Sequence, residues 1–194
     1  MELILIRHAL PLRVETADGS PADPQLSERG REQAQRLAGW LGSERIDALY
    51  TSPLRRARET AAPLEQALGL EPRVEPGIRE FDAEASTYIP MEELKQTDPE
   101  RWKALVTSGF YLDGAVDTFR SEVVSSLERV VREHSGARVA VVCHGGVINA
   151  WVSHVLGLER LFLFEPDYTS LSRFMAARSG ERSLTSLNEA SHLR

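Results

Sequence analysis

Apolar positions along the chain fall into two patterns, short unbroken runs and stripes spaced three and four apart. Leu3 to Ile6 and Val139 to Cys143 are unbroken runs, the pattern of strands buried on both faces of a parallel sheet. Ile46 to Tyr50 predicts a further strand, and Arg73 to Glu75 a weak short one before Pro76-Gly77. The stripes predict helices. Ala34, Leu37, Ala38 and Leu41 mark one that Ser27 caps and Gly42 stops. Leu54, Ala57, Ala61, Leu64 and Leu68 mark a second, in which Pro63 predicts a kink or break. Phe119, Val123, Leu127 and Val130 mark a long third that Gly136 ends, and a fourth runs from Val147 to about Leu156. Leu10 to Gln25, with Pro11, Pro21, Pro24 and Gly19, reads as a loop. Tyr88 to Leu112 predicts one or two short helices, and the tail from Thr169 two strands around Ser179-Gly180. Strand and helix in this alternation predict an α/β layered domain with a mostly parallel sheet. No repeat or low-complexity linker divides the chain, so a single domain over residues 1–194 is expected.

Composition narrows the partners. A formal net charge of −6 argues against nucleic acid or an anionic membrane surface as partner, but leaves an anionic small substrate open. One cysteine, Cys143, cannot form an intramolecular disulfide. The first apolar run is too short for a signal-peptide core, and no stretch approaches a transmembrane helix. The cytoplasm is the expected setting. Oligomeric state is not readable, and a homo-oligomer stays open.

The candidate chemistry lies where the runs stop. "LILIRH" and "VAVVCH" both end in histidine, so in one parallel sheet His8 and His144 emerge at the same edge, where α/β folds bind ligands. In "TSPLRRARETA", Arg55, Arg56 and Arg58 crowd the start of a helix, an end whose dipole disfavours cations. The placement makes sense if an anion such as phosphate sits there. Solvated faces account for Arg58 and for one of the other two. Cys143 has no downstream arginine closing a phosphate loop, so it reads as the apolar end of a strand. Gly145 and Gly146 allow backbone N–H groups to approach an anion. No metal-binding spacing is found, and no metal or other cofactor is expected. "IREFDAEAS" offers Glu80, Asp82 and Glu84, of which one is a candidate general acid and the others exposed carboxylates.

Taken in order, "LIRHA", "LSERGREQA", "LYTSPLRRARETA", "IREFD", "VVCHGGVI" and the tail "SLNEASHL" resemble the histidine phosphatase superfamily, the phosphoglycerate mutase-like proteins. The resemblance covers nearly the whole chain and thins from about Tyr88 to Thr118. It implies a three-layer α/β/α sandwich with a mixed, mostly parallel sheet. It makes His8 the nucleophile that becomes phosphorylated, Arg7 and Arg56 the holders of phosphate oxygens, His144 the second histidine of the pocket and Glu80 the proton donor. Three departures stand out: Ala9 replaces the family's usual glycine, the mutase-like S-x-x-N after it is absent, and Asp113 to Asp117 replaces the frequent "GGES".

The implied activity is metal-independent hydrolysis of a small phosphorylated metabolite through phosphohistidine. Two alternatives stay open: a phosphoglycerate-type mutase, ranked second because only a modest insertion follows Glu80, and a non-catalytic phospholigand-binding module. Protonated His144 is expected to add a third cation. Tyr88, Trp102, Phe110 and Tyr111 are candidates for an apolar lid, and Lys95, Arg101 and Lys103 for reading a second anion; packing and a solvated helix face explain them equally well. The sequence does not name the substrate.

Overall fold

A computed structural model describes residues 1–108 and 115–194 of the chain. In chain order the elements are β1 (Glu2–Arg7), β2 (Val14–Glu15), α1 (Glu28–Leu41), β3 (Ala48–Thr51), α2 (Arg55–Leu68), β4 (Arg73–Val74), β5 (Thr87–Tyr88), α3 (Met91–Thr97), α4 (Pro99–Ser108), α5 (Ala115–Glu133), β6 (Arg138–Cys143), α6 (Gly145–Leu156), β7 (Leu171–Ala176) and β8 (Arg182–Glu189), with 3₁₀ turns at Pro76–Ile78 and Ser191–Leu193.

Six strands form one sheet in the order β4-β3-β6-β1-β7-β8. The pairs β4–β3, β3–β6 and β6–β1 are parallel, whereas β1–β7 and β7–β8 are antiparallel. Strand alternation explains the unbroken apolar runs. Ile4, Ile6, Ala140 and Val142 face a core built with Leu37 and Leu41 of α1 and Ala57, Ala61 and Leu64 of α2. Leu3, Leu5, Val139, Val141 and Cys143 face the opposite core, with Val123 and Leu127 of α5 and Val147 and Trp151 of α6. Neither face meets water, so neither can be polar. This is the three-layer sandwich the resemblance implies.

The local expectations are largely met, with instructive differences. Ser27 caps α1, its hydroxyl accepting from Gly30 N–H at 2.9 Å. Gly30 is needed there, since a Cβ would lie 2.1 Å from the Leu10 carbonyl oxygen. Pro63 does not break α2. Proline removes one backbone donor, but Ala57, Thr60, Ala61 and Leu64 are buried on both sides of it, and that burial holds the helix through. β3 lies two residues later than expected at its start, and α6 begins two residues earlier, at Gly145. The two-residue ribbon β2–β5 was not expected, because elements so short carry no periodicity. Among the described residues, no helix is long and apolar enough to cross a membrane.

Candidate active site

The site grows from the parallel pairing of β1 and β6. Their register sets Arg7 beside Cys143, so the next residues, His8 and His144, leave the sheet side by side. His8 N–H donates to the Cys143 carbonyl at 2.9 Å, and the two imidazole centroids lie 5.1 Å apart. Both rings are buried. Thr60 of α2 ties the next turn down: its hydroxyl accepts from Ala9 N–H at 2.9 Å and donates to the Arg56 carbonyl at 2.7 Å.

His8 Nδ1 lies 2.8 Å from the Ala9 carbonyl. A carbonyl only accepts, so Nδ1 carries the proton and Nε2 keeps its lone pair. Burial, with the charges of Arg56 and Arg7, pushes the His8 pKa well below the ordinary imidazole value. The ring is held neutral, with its lone pair on Nε2.

Arg56 stands in the first turn of α2, only 1% exposed. It donates to Asp82 at 3.1 Å, and its guanidinium carbon lies 4.7 Å from the centroid of the Tyr88 ring. Arg55, one position earlier, faces outward to Glu59 and Gln25, and Arg58 is exposed. Adjacent helix positions point about 100° apart, so only one of the pair can turn inward. Arg7 donates to the Pro166 carbonyl and stacks 3.9 Å above the Tyr168 ring. His144 Nε2 sits 2.7 Å from the Ser52 hydroxyl. Three buried nitrogens among these groups have no hydrogen-bond partner among the described residues: Arg7 Nε, Arg56 Nε and His144 Nδ1.

Glu80 approaches from the segment after the first 3₁₀ turn. Its carboxylate accepts from Gly146 N–H at 2.9 Å and from Phe81 N–H at 3.0 Å. Gly146 leaves room for this carboxylate, since a Cβ there would meet Glu80 Oε1 at 2.1 Å and displace it. Burial and the neighbouring Asp82 carboxylate raise the Glu80 pKa to about 7, against the lowering effect of the backbone donors and Arg56. Glu84 points elsewhere, to Arg79.

Three expectations change. His144 is not a third cation in the unliganded site: burial, Arg56, His8 and Arg7 push its pKa well below the ordinary value. The Gly146 N–H donates to the Glu80 carboxylate rather than standing open to a bound anion. Asp82 is not merely exposed, but is the carboxylate partner of Arg56. Lys95 lies over the Trp102 ring at 4.7 Å, so α3 and α4 hold that pair against each other. Phe110 and Tyr111 lie outside the described residues. Cys143 is fully buried, and burial raises its thiol pKa, so it is no nucleophile. Among the described residues, no group of three or more His, Cys, Asp and Glu is arranged to hold a metal ion.

Sequence reasoning missed Ser52 and Tyr168. Ser52 belongs to the quoted "TSP" and was legible as a strand-end hydroxyl. Tyr168 had no local signal.

The chain is similar to known proteins over most of its length. Residues 3–190 match the model of the histidine phosphatase superfamily (branch 1). Phosphoserine phosphatase 1 of Hydrogenobacter thermophilus is 31% identical over 185 residues, covering 89% of this chain and 85% of the relative. Phosphoglycerate mutase-like protein 4 of Arabidopsis thaliana is 31% identical over 157 residues, covering 77% and 68%. The alpha-ribazole phosphatase structure from Shigella flexneri superposes with a TM-score of 0.73 at 25% identity, covering 97% of this chain and 96% of that one.

Proposed function

The chain belongs to the histidine phosphatase superfamily, and on that premise we propose that it hydrolyses a small phosphorylated metabolite through a phosphohistidine on His8, without a metal. One observation carries the reading. Arg7 Nε, Arg56 Nε and His144 Nδ1 are buried, and unpartnered among the described residues, in the neighbourhood of a neutral imidazole. Buried donors without partners are rare and call for a ligand, and a phosphoryl group supplies several acceptor oxygens at once.

In the first step His8 Nε2 attacks phosphorus, the P–N bond forms and the P–O bond to the alcohol breaks. Arg7 and Arg56 hold the equatorial oxygens, where charge gathers in the transition state. The Ser52 hydroxyl donates to His144 Nε2, which leaves Nδ1–H as a further donor to the anion. Glu80, poised near neutrality by burial, gives its proton to the departing alkoxide. In the second step the Glu80 carboxylate takes a proton from water, whose oxygen attacks phosphorus. The P–N bond breaks and phosphate leaves. Asp82 keeps Arg56 oriented and keeps the Glu80 proton bound.

The relatives named for phosphoserine and alpha-ribazole phosphatase activity favour hydrolysis over a mutase reaction. The chain acts as one domain. A lone, buried cysteine is suited to the cytoplasm, and the partner is a small phosphorylated metabolite.

A panel of phosphomonoesters, with phosphoserine and 3-phosphoglycerate included, tests the function. Phosphate release that persists in chelator is expected, with no 2-phosphoglycerate formed. Isomerisation without release supports the mutase; tight binding without turnover supports the binding module.

A further inference from the structure

The closing stretch "SLNEASHL" takes no part in this chemistry, yet two of its side chains reach the loop beneath the nucleophile. Asn188 Oδ1 accepts from Asp167 N–H at 2.7 Å, and its Nδ2 donates to the Asp167 carboxylate at 3.0 Å. His192, 9% exposed in the last 3₁₀ turn, sets Nε2 at 3.0 Å from the Thr169 hydroxyl. The residue between the two grips is Tyr168.

Thr169 is fully buried and has φ +60°, a left-handed conformation that is an outlier for a β-branched residue. Such a residue persists only where its surroundings over-determine it. Thr169 N–H donates to the Arg7 carbonyl at 3.0 Å and lies 3.4 Å from the His8 carbonyl. Its hydroxyl donates to the Tyr168 carbonyl at 2.7 Å, which leaves oxygen lone pairs for a donor. Burial and the charge of Arg36 lower the His192 pKa, so its imidazole is neutral and donates through one nitrogen. Nδ1 makes no hydrogen bond among the described residues, so Nε2–H is the one that grips Thr169. The turn so fixed seats Tyr168, whose ring centroid lies 3.9 Å from the Arg7 guanidinium carbon and 5.7 Å from the His8 ring centroid. Trp40 of α1 lies against the far side of this device, 6.3 Å from the His192 ring centroid.

We propose that His192 is a positioning residue for Arg7 and His8, acting through the Thr169 hydroxyl to hold the left-handed turn that seats Tyr168 under the phosphate-binding guanidinium. The inference rests on the phosphohistidine reading of the site. A misplaced guanidinium binds a tetrahedral anion almost as well, but loses its fit to the five-coordinate transition state.

Dissociation constants test this, because they do not depend on how much of a variant is folded. Vanadate, which adopts the five-coordinate geometry, is compared with inorganic phosphate. In His192→Ala, kcat should fall about 10-fold and the vanadate constant rise by a like factor, with phosphate changed less than about 3-fold. His192→Gln, whose amide nitrogen reaches the Nε2 position, should recover most of the loss. Thr169→Val should reproduce it, and the double variant should be no worse than Thr169→Val alone. A vanadate-to-phosphate ratio unchanged in His192→Ala, or losses that add in the double variant, would overturn the proposal. A wild-type protein that binds both anions but hydrolyses no ester overturns the functional reading instead, and the binding comparison still decides the role of His192.

Discussion

Two pairs of arginines sit at opposite ends of the same central strands, and they differ in what surrounds them. At the amino end of β1 and β6, Arg173 meets Glu2 at 3.1 Å, Glu44 at 2.7 Å and Glu189 at 3.2 Å, and Arg138 meets Glu2 and Glu44. At the carboxyl end, Arg7 and Arg56 are more deeply buried, yet among the described residues the only carboxylate bonded to the pair is Asp82. Aromatic faces take up their flat sides, and neither Nε atom has a partner among the described residues. Burying a charge is expensive unless it is paired. The saturated pair is therefore architecture. The under-saturated pair is the one that, in the proposed reaction, the substrate anion completes.

Removing one arginine from each end should separate the two roles. Arg56→Ala is expected to lower turnover by about 10³–10⁵-fold, the worth of an arginine that stabilises a phosphoryl transition state, with the melting temperature little changed. Steady-state assays beside a thermal melt check both halves.

Glu80→Gln keeps the shape and removes the proton. A loss of about 10²–10⁴-fold is expected on an alkyl phosphate, shrinking sharply on a nitrophenyl ester, whose leaving group needs no proton. The sign of the pH effect follows: as the proposed acid Glu80 must be protonated to act, and burial with Asp82 raises its pKa to about 7. In the native enzyme kcat/KM on the alkyl ester should fall as pH rises past about 7, and Glu80→Gln should lack that fall. Asp82→Asn, which removes a charge that helps to raise the Glu80 pKa, should move that fall to lower pH without abolishing it. Equal loss on both esters in Glu80→Gln, measured on the phosphorylation step, would move the proton donor elsewhere.

Arg173→Ala is the mirror image of Arg56→Ala. Its side chain is 13% exposed, so stability should drop by about 1–3 kcal/mol in denaturant titration, with turnover nearly unchanged. Arg55→Ala should be quieter still. Its exposed contacts to Glu59 and Gln25 are worth little, and kcat should stay within about 2-fold of wild type. A larger effect from Arg55 than from Arg56 would put the helix register off by one.

What was legible in the sequence follows the reach of each signal. His8 and His144 could be paired without a structure, because unbroken apolar runs fix where parallel strands end, and the register then sets Arg7 beside Cys143. Glu80 could not be separated from Asp82 and Glu84 by pattern; only the resemblance singled it out, and only the fold gives it the Gly146 N–H. The neutral state of His144 was illegible because burial and two guanidinium charges meet there only in three dimensions. Tyr168 stayed hidden for the same reason, since its stacking on Arg7 spans most of the chain. Pro63 marks the converse: a strong local signal lost to the burial of its neighbours.

Trapping the covalent intermediate tests the central claim most directly. Wild-type enzyme mixed with a labelled phosphomonoester and quenched in milliseconds should carry phosphate in a linkage labile to acid and stable to base. Peptide mass spectrometry should place it on His8, and His8→Ala should carry none. Phosphate on Cys143 or on a serine, or substrate turned over in a single cycle with no covalent species at any time, would contradict the account.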